Sequence, residues 1–196
     1  MKTGILGGTF DPIHTGHINI ANKILSELAL DRIIFIPNGN PPHKESIMAS
    51  QNERLNMVKY AVSEYENFEV DSMEMFKIGN LYTYKTLEKL QEKYPEDKLY
   101  FICGADNITE ISGWRKPERI FELAALIFIN RPGYEIDSNA INGLKSGYNA
   151  EIYICNGNDK DVSSTMIKKF IKENKNAEEF IPENAREYFK AVYYNV

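Results

Sequence analysis

The sequence predicts an α/β fold, a doubly wound and mainly parallel sheet with helices on both faces. Three observations carry this. Short continuous apolar runs recur along the chain, as strands buried on both faces require. Longer segments with apolar residues at helical spacing lie between them. The segments rich in chemically useful residues each follow a strand, so all can meet at one edge of such a sheet.

Taken in order, Thr3-Gly4-Ile5-Leu6 is the first strand. Ile18, Ile20, Ala21, Ile24, Leu25 and Leu28 then give a helix one apolar face. Residues 32–37 are a second strand, and residues 38–49 a loop holding Gly39, Pro41 and Pro42. Ser50-Gln51-Asn52-Glu53 reads as a capping box for a helix through Leu55, Met57, Val58, Ala61 and Val62. Residues 68–71 are a short third strand, and residues 72–81 are irregular. Thr83 is the expected N-cap of a helix through Leu87, Leu90 and Tyr94, which Pro95 ends. Residues 98–103 are a fourth strand, turned at its carboxyl end by Gly104-Ala105-Asp106-Asn107. Pro117 begins a helix through Ile120, Phe121 and Leu123. Residues 125–129 form a fifth strand, residues 137–149 a helix, and residues 151–155 a sixth strand. Ser163 or Ser164 caps the next helix, and Pro182 takes the first position of the last one.

The chain has 196 residues, 43% hydrophobic and 26% charged, which suits one globular domain over residues 1–196. A net charge of -5 argues against a nonspecific nucleic-acid binder. No apolar run reaches the ~20 residues of a membrane span. Residues 7–12 would interrupt any signal-peptide core. A cytoplasmic location follows, with neither nucleic acid nor membrane as partner; a homo-oligomer is left open. Cys103 and Cys155 fall in strand-like runs far apart, as reduced core residues do.

The chain is organised around Gly7-Gly8-Thr9-Phe10-Asp11-Pro12-Ile13-His14-Thr15-Gly16-His17, a strand-to-helix turn. Glycines at the first bend let a ligand approach the backbone. The first turn of a helix offers unpaired N–H groups and a positive dipole end. His14 and His17, three apart, can both face an anion held there. The turn reads as a phosphate cradle with two added donors. It lacks the Gly-Lys-Ser/Thr end of a Walker loop and the Gly-x-Gly-x-x-Gly of a dinucleotide fold. A zinc site would want a third nearby ligand, and the chain's third and last histidine is His43.

Residues 8–17 resemble the signature of the nucleotidyltransferase superfamily marked by His-x-Gly-His. The whole chain is similar to the bacterial nicotinate-nucleotide adenylyltransferases. The likeness runs through Pro41-Pro42-His43-Lys44, Gly104-Ala105-Asp106, Trp114, Arg131-Pro132-Gly133 and residues 163–168. It implies a Rossmann-like nucleotidyltransferase fold and an activity in NAD biosynthesis. ATP and nicotinate mononucleotide would give the deaminated dinucleotide and pyrophosphate, with Mg²⁺ accompanying ATP. Siblings that use nicotinamide mononucleotide or phosphopantetheine are the alternatives, as is a nucleotide-binding regulator without turnover.

The same resemblance distributes the roles. His14, His17 and Lys44 are the catalytic candidates. ATP is expected at Gly8, Thr9, Phe10, His14, His17, Gly104, Asp106, Ser163, Ser164, Thr165 and Lys168, with the C-terminal helices of residues 163–196 completing its site. Nicotinate mononucleotide is expected at Gly7, Gly8, Lys44, Thr83, Tyr84, Trp114 and Arg115. Both histidines ordinarily titrate near neutral pH and are expected to be cationic beside phosphate. Asp106 suits a ribose hydroxyl and a helix cap equally well. The family usually has Arg at position 168; Lys keeps the charge without the bidentate fork. Trp114, the only tryptophan, suits a flat pyridinium cation.

Overall fold

A computed structural model of the chain describes residues 1–39, 47–76, 82–131, 133–157 and 162–194. Among them are strands β1 (Lys2–Gly8), β2 (Arg32–Pro37), β3 (Phe68–Val70), β4 (Lys98–Gly104), β5 (Ala124–Asn130) and β6 (Ile152–Asn156). The helices are α1 (Thr15–Glu27), α2 (Gln51–Val62), α3 (Thr83–Lys93), α4 (Pro117–Leu123), α5 (Ser138–Tyr148), α6 (Ser164–Lys172) and α7 (Arg186–Tyr193). The six strands form one sheet in the order β3-β2-β1-β4-β5-β6, and every pairing is parallel.

Strand alternation builds two cores. Ile33 and Phe35 of β2 enter one, and Ile34 and Ile36 enter the other, because successive side chains point to opposite faces. α1, α2, α6 and α7 cover the first face through Ile24, Met57, Ile167 and Phe189. α3, α4 and α5 cover the second through Leu87, Ile120 and Leu144. The chain leaves β1 toward β2 and β3, then crosses to β4 on the other side of β1. Connections therefore diverge at the carboxyl ends of β1 and β4 and leave a crevice there.

Two expected details shift, and at α6 one of the two expected caps is the one used. Tyr82, not Thr83, is the N-cap of α3. Its extended backbone starts the helix one residue early, and the Tyr82 side chain makes no capping hydrogen bond. Ser163 caps α6 by accepting from the Met166 N–H at 3.1 Å, whereas Ser164 turns its hydroxyl to the Pro12 carbonyl at 2.9 Å. Pro182 leads into a 3₁₀ turn, Glu183–Ala185, and α7 starts only at Arg186. Cys103 and Cys155 are both unpaired thiols, in keeping with reduced core residues.

Arg54 of α2 has no solvent exposure. Its guanidinium donates to the carbonyls of Thr9 and Asn38, both at 2.6 Å, and of Gly39 at 2.8 Å. These carbonyls belong to the turns that leave β1 and β2. Without Arg54 the Thr9 carbonyl would lose the donor that a buried carbonyl requires, while, among the described residues, Gly39 would keep only Gln51 Nε2 at 3.1 Å. Arg54→Met removes all three donors and keeps most of the stem. It should cost roughly 3–5 kcal/mol of stability in urea denaturation. Arg54→Lys should recover less than half, since an ammonium cannot fork across three carbonyls. A loss below about 1 kcal/mol in Arg54→Met would mean the carbonyls find other partners.

Candidate active site

β1 ends at Gly8, and α1 begins seven residues later at Thr15. Phe10 turns this corner with a left-handed backbone, φ +49°. Its ring folds back so closely that a Cβ on Gly8 would lie 3.0 Å from it. A Cβ on Gly7 would meet nothing within 4 Å. The two glycines thus serve different ends: Gly8 admits the Phe10 ring, and Gly7 leaves space for a ligand.

His14 is the N-cap of α1 and is buried. Its N–H donates to His17 Nδ1 at 3.3 Å, and its carbonyl accepts from the His17 N–H at 2.9 Å. The two rings lie with centroids 3.8 Å apart, tilted 32° to one another, and Phe10 meets His17 edge-on at 5.1 Å. Because Nδ1 of His17 accepts, a neutral His17 carries its proton on Nε2 and donates from there. A Cβ on Gly16 would fall 2.9 Å from His14 Nδ1. The glycine between the histidines therefore clears the space that the first ring occupies.

The charge expected on His14 is not there in the chain itself. Burial, and secondarily the positive charge of Arg131, pull its imidazole down to about 4. Nδ1 of His14 is buried and has no partner among the described residues. His14 is thus a neutral imidazole at pH 7, set in a positive field.

Two cavities open along this edge. The first, about 300 Å³, lies in the crevice between β1 and β4. Gly7, Gly8 and Thr9 line one side of it, and Thr83, Thr86 and Trp114 another. Trp114 is half-buried, held edge-on by Phe101 at 6.3 Å. Thr83, the first residue of α3, stands on this side of the cavity. Tyr84 turns its own ring into the core. The lining is not made of backbone donors alone, for Glu74 shares it and accepts the Thr86 hydroxyl.

The second cavity, about 330 Å³, lies past the ends of β4 and β5 and is lined by Ala105, Asp106, Ile129, Arg131, Gly133 and Tyr134. Gly104, which lines the first cavity, precedes Ala105 and Asp106 directly, so the two cavities adjoin along the chain. Asp106 caps no helix; Gly104 holds the N-cap position of the 3₁₀ turn that follows. Its carboxylate is exposed on the cavity rim.

α6 brings its N-terminus beside that of α1. The Val162 carbonyl would lie 3.5 Å from a Cβ on Gly16, and Ser164 bonds Pro12. Thr165 is exposed in this first turn. Lys168, one turn further on, places Nζ 3.3 Å from the Asp11 carboxylate. Arg115 is exposed and lines neither cavity. Lys44, with Pro41, Pro42 and His43, lies outside the described residues, as does Pro132.

Sequence reading had passed over Asp11, Arg54, Glu74, Arg131 and Tyr193. Arg54 carried a usable signal. It stands four residues before Val58 and seven before Ala61, on the buried stripe of α2, where an unpartnered charge is costly. Asp11 and Arg131 stood within motifs without roles of their own.

Residues 5–170 match the model of the cytidylyltransferase-like family. A probable nicotinate-nucleotide adenylyltransferase of Clostridium tetani is 41% identical over 192 residues, 96% of either chain. One of Clostridium novyi is 39% identical over 188 residues, 94% of either chain. Among solved structures, the nicotinic acid mononucleotide adenylyltransferase of Plasmodium falciparum complexed with NaAD shares the fold. Its TM-score is 0.80 at 22% identity, covering 100% of this chain and 97% of that one. The chain belongs to the cytidylyltransferase-like family and, within it, to the nicotinate-nucleotide adenylyltransferases.

Proposed function

We propose that this chain transfers the adenylyl group of ATP to nicotinate mononucleotide, releasing pyrophosphate. The observation that carries the reading is the pair of adjoining cavities at one sheet edge, with the His14–His17 turn beside them. A phosphate oxygen of the mononucleotide attacks the α-phosphorus of ATP. The bond from that phosphorus to the bridging oxygen of the β-phosphate breaks, and pyrophosphate leaves with the electron pair. The nucleophile is already anionic, so the protein needs to position and to stabilise charge.

The first cavity suits the pyridine nucleotide, with Trp114 against the ring and the start of α3 toward its carboxylate. The second suits adenosine, with Asp106 toward ribose hydroxyls. The converging starts of α1 and α6 then receive the phosphates, with His14 and His17 as donors and Lys168 and Arg131 as cations. The C-terminal helices from residue 163 onward complete this ATP site, and Lys44 keeps its expected role toward the phosphate of the mononucleotide. Among the described residues no three His, Cys, Asp or Glu side chains gather in a metal cluster. Mg²⁺ fits here as a partner of ATP, held by phosphate oxygens and water; bound so, it neutralises triphosphate charge. Among the described residues no helix is long and apolar enough to cross a membrane.

Pyrophosphate release with ATP and nicotinate mononucleotide, nicotinamide mononucleotide or phosphopantetheine tests the assignment. Amide donors at the start of α3 satisfy a carboxylate but oppose the NH₂ of an amide. The specificity constant should favour nicotinate by at least roughly 10²-fold. Trp114→Ala should lower both pyridine substrates and change their ratio less. Equal use of both by the wild type would overturn the nicotinate assignment.

His17→Ala should keep the fold by circular dichroism and lose roughly 10²–10³-fold in turnover, as when one oxyanion donor is removed. Turnover like the wild type would remove His17 from the mechanism.

The protonation of His14 has its own test. Its folded pKa of about 4 lies below the ordinary 6.5. As pH falls through that window the unfolded chain gains a proton that the folded chain refuses. Stability should therefore drop between about pH 6.5 and 4, and the His14 resonance should titrate near the bottom of that range. A midpoint near 6.5 would show that the ring is solvated.

A further inference from the structure

The Asp11 carboxylate is 2% exposed and gathers four donors. Oδ1 accepts from the Ala49 N–H at 3.1 Å and the Tyr193 hydroxyl at 2.7 Å. Oδ2 accepts from the Met48 N–H at 3.0 Å and from Lys168 Nζ at 3.3 Å. The donors come from the chain entering α2, from α6 and from α7. Arg54 adds a further positive charge nearby. Four donors meet the capacity of a carboxylate, and little solvent can reach it to replace one that is lost.

The donors differ in how firmly they are placed. Tyr193 packs in the core against Phe189, with ring centroids 5.0 Å apart, so α7 fixes its hydroxyl independently of Asp11. Lys168 extends a flexible stem from α6, the helix whose first turn carries Ser163, Ser164 and Thr165. A fixed hydroxyl thus orients the carboxylate, and the carboxylate orients the lysine. Among the described residues, none that lines the first cavity has a side chain hydrogen-bonded to Asp11.

We propose that Tyr193 is a positioning residue for ATP, acting through Asp11 on Lys168 and on the first turn of α6. The proposal rests on the adenylyltransferase reading above. It makes the effect larger for ATP, because Lys168 bonds Asp11 directly, whereas the first cavity is linked to it only indirectly, through Arg54 and the carbonyls of Thr9 and Asn38.

Tyr193→Phe keeps the ring and removes the hydroxyl. Calorimetry should show MgATP binding weakened roughly tenfold, while the KM for nicotinate mononucleotide stays within about twofold. Asp11→Asn is the second variant. Keeping Oδ1 for Tyr193, it turns an NH₂ toward Lys168 and the Met48 N–H, and should weaken ATP at least as much. Either variant that unfolds cooperatively decides the matter. Unchanged ATP binding overturns the proposal, and so does an equal loss for both substrates, the mark of general loosening. In the wild type, MgATP should slow hydrogen exchange at Met48 and Ala49, the amides bonded to Asp11. Unchanged exchange there would also overturn it. A wild type that binds no MgATP would instead refute the adenylyltransferase reading.

Discussion

Three carbonyl groups and one guanidinium set the shape of the carboxyl edge. β1 and β2 must both end abruptly if a ligand is to reach the crevice between β1 and β4. Ending them turns the carbonyls of Thr9, Asn38 and Gly39 inward, to where Arg54 lies buried. A guanidinium can meet three such acceptors at once; an ammonium reaches them only as a point. The same burial would leave a lone positive charge in the core, and the nearby Asp11 carboxylate offsets it. The phosphate-facing turn is therefore held from behind before any ligand arrives, as electrostatic preorganisation requires.

That arrangement changes where the positive potential comes from. The chain carries a net charge of -5, yet the substrates proposed for it are polyanions. His14 contributes no charge of its own near neutral pH. Among the described residues, the proposed attraction draws on the helix N-termini of α1, α3 and α6, with Arg131 and Lys168 as cations. A neutral His14 still offers a donor, and an incoming phosphate would raise its basicity. Phosphate binding and proton uptake are then linked at this residue.

The fold was legible because its signal is local. Two-sided burial of parallel strands writes continuous apolar runs, and one-sided burial of helices writes a 3.6-residue stripe. Both survive in single segments such as residues 32–37 and 18–28. The strand-to-helix turn of residues 7–17 was legible for the same reason, since its glycines and histidines lie within eleven consecutive residues. What escaped was held together across the chain. Tyr193 and Asp11 stand 182 residues apart, and no period or spacing reports such a pair. The N-cap of α3 was displaced to Tyr82 because backbone geometry, not the capping preference of Thr83, starts that helix. The neutrality of His14 depends on enclosure by residues from other elements, which composition cannot show.

Lys168 draws these threads together. A guanidinium at this place could meet Asp11 with one edge and a phosphate with another. A lysine has one nitrogen, and here that nitrogen stands 3.3 Å from Asp11. Its three protons can still be divided between carboxylate and phosphate, but only if the two acceptors lie at the right angle about a single atom. The geometry of Asp11 therefore matters more with Lys than it would with Arg. A carboxylate fixed by two backbone amides and a core-packed tyrosine meets that demand, and the departure from Arg is tolerable where the carboxylate behind it cannot move.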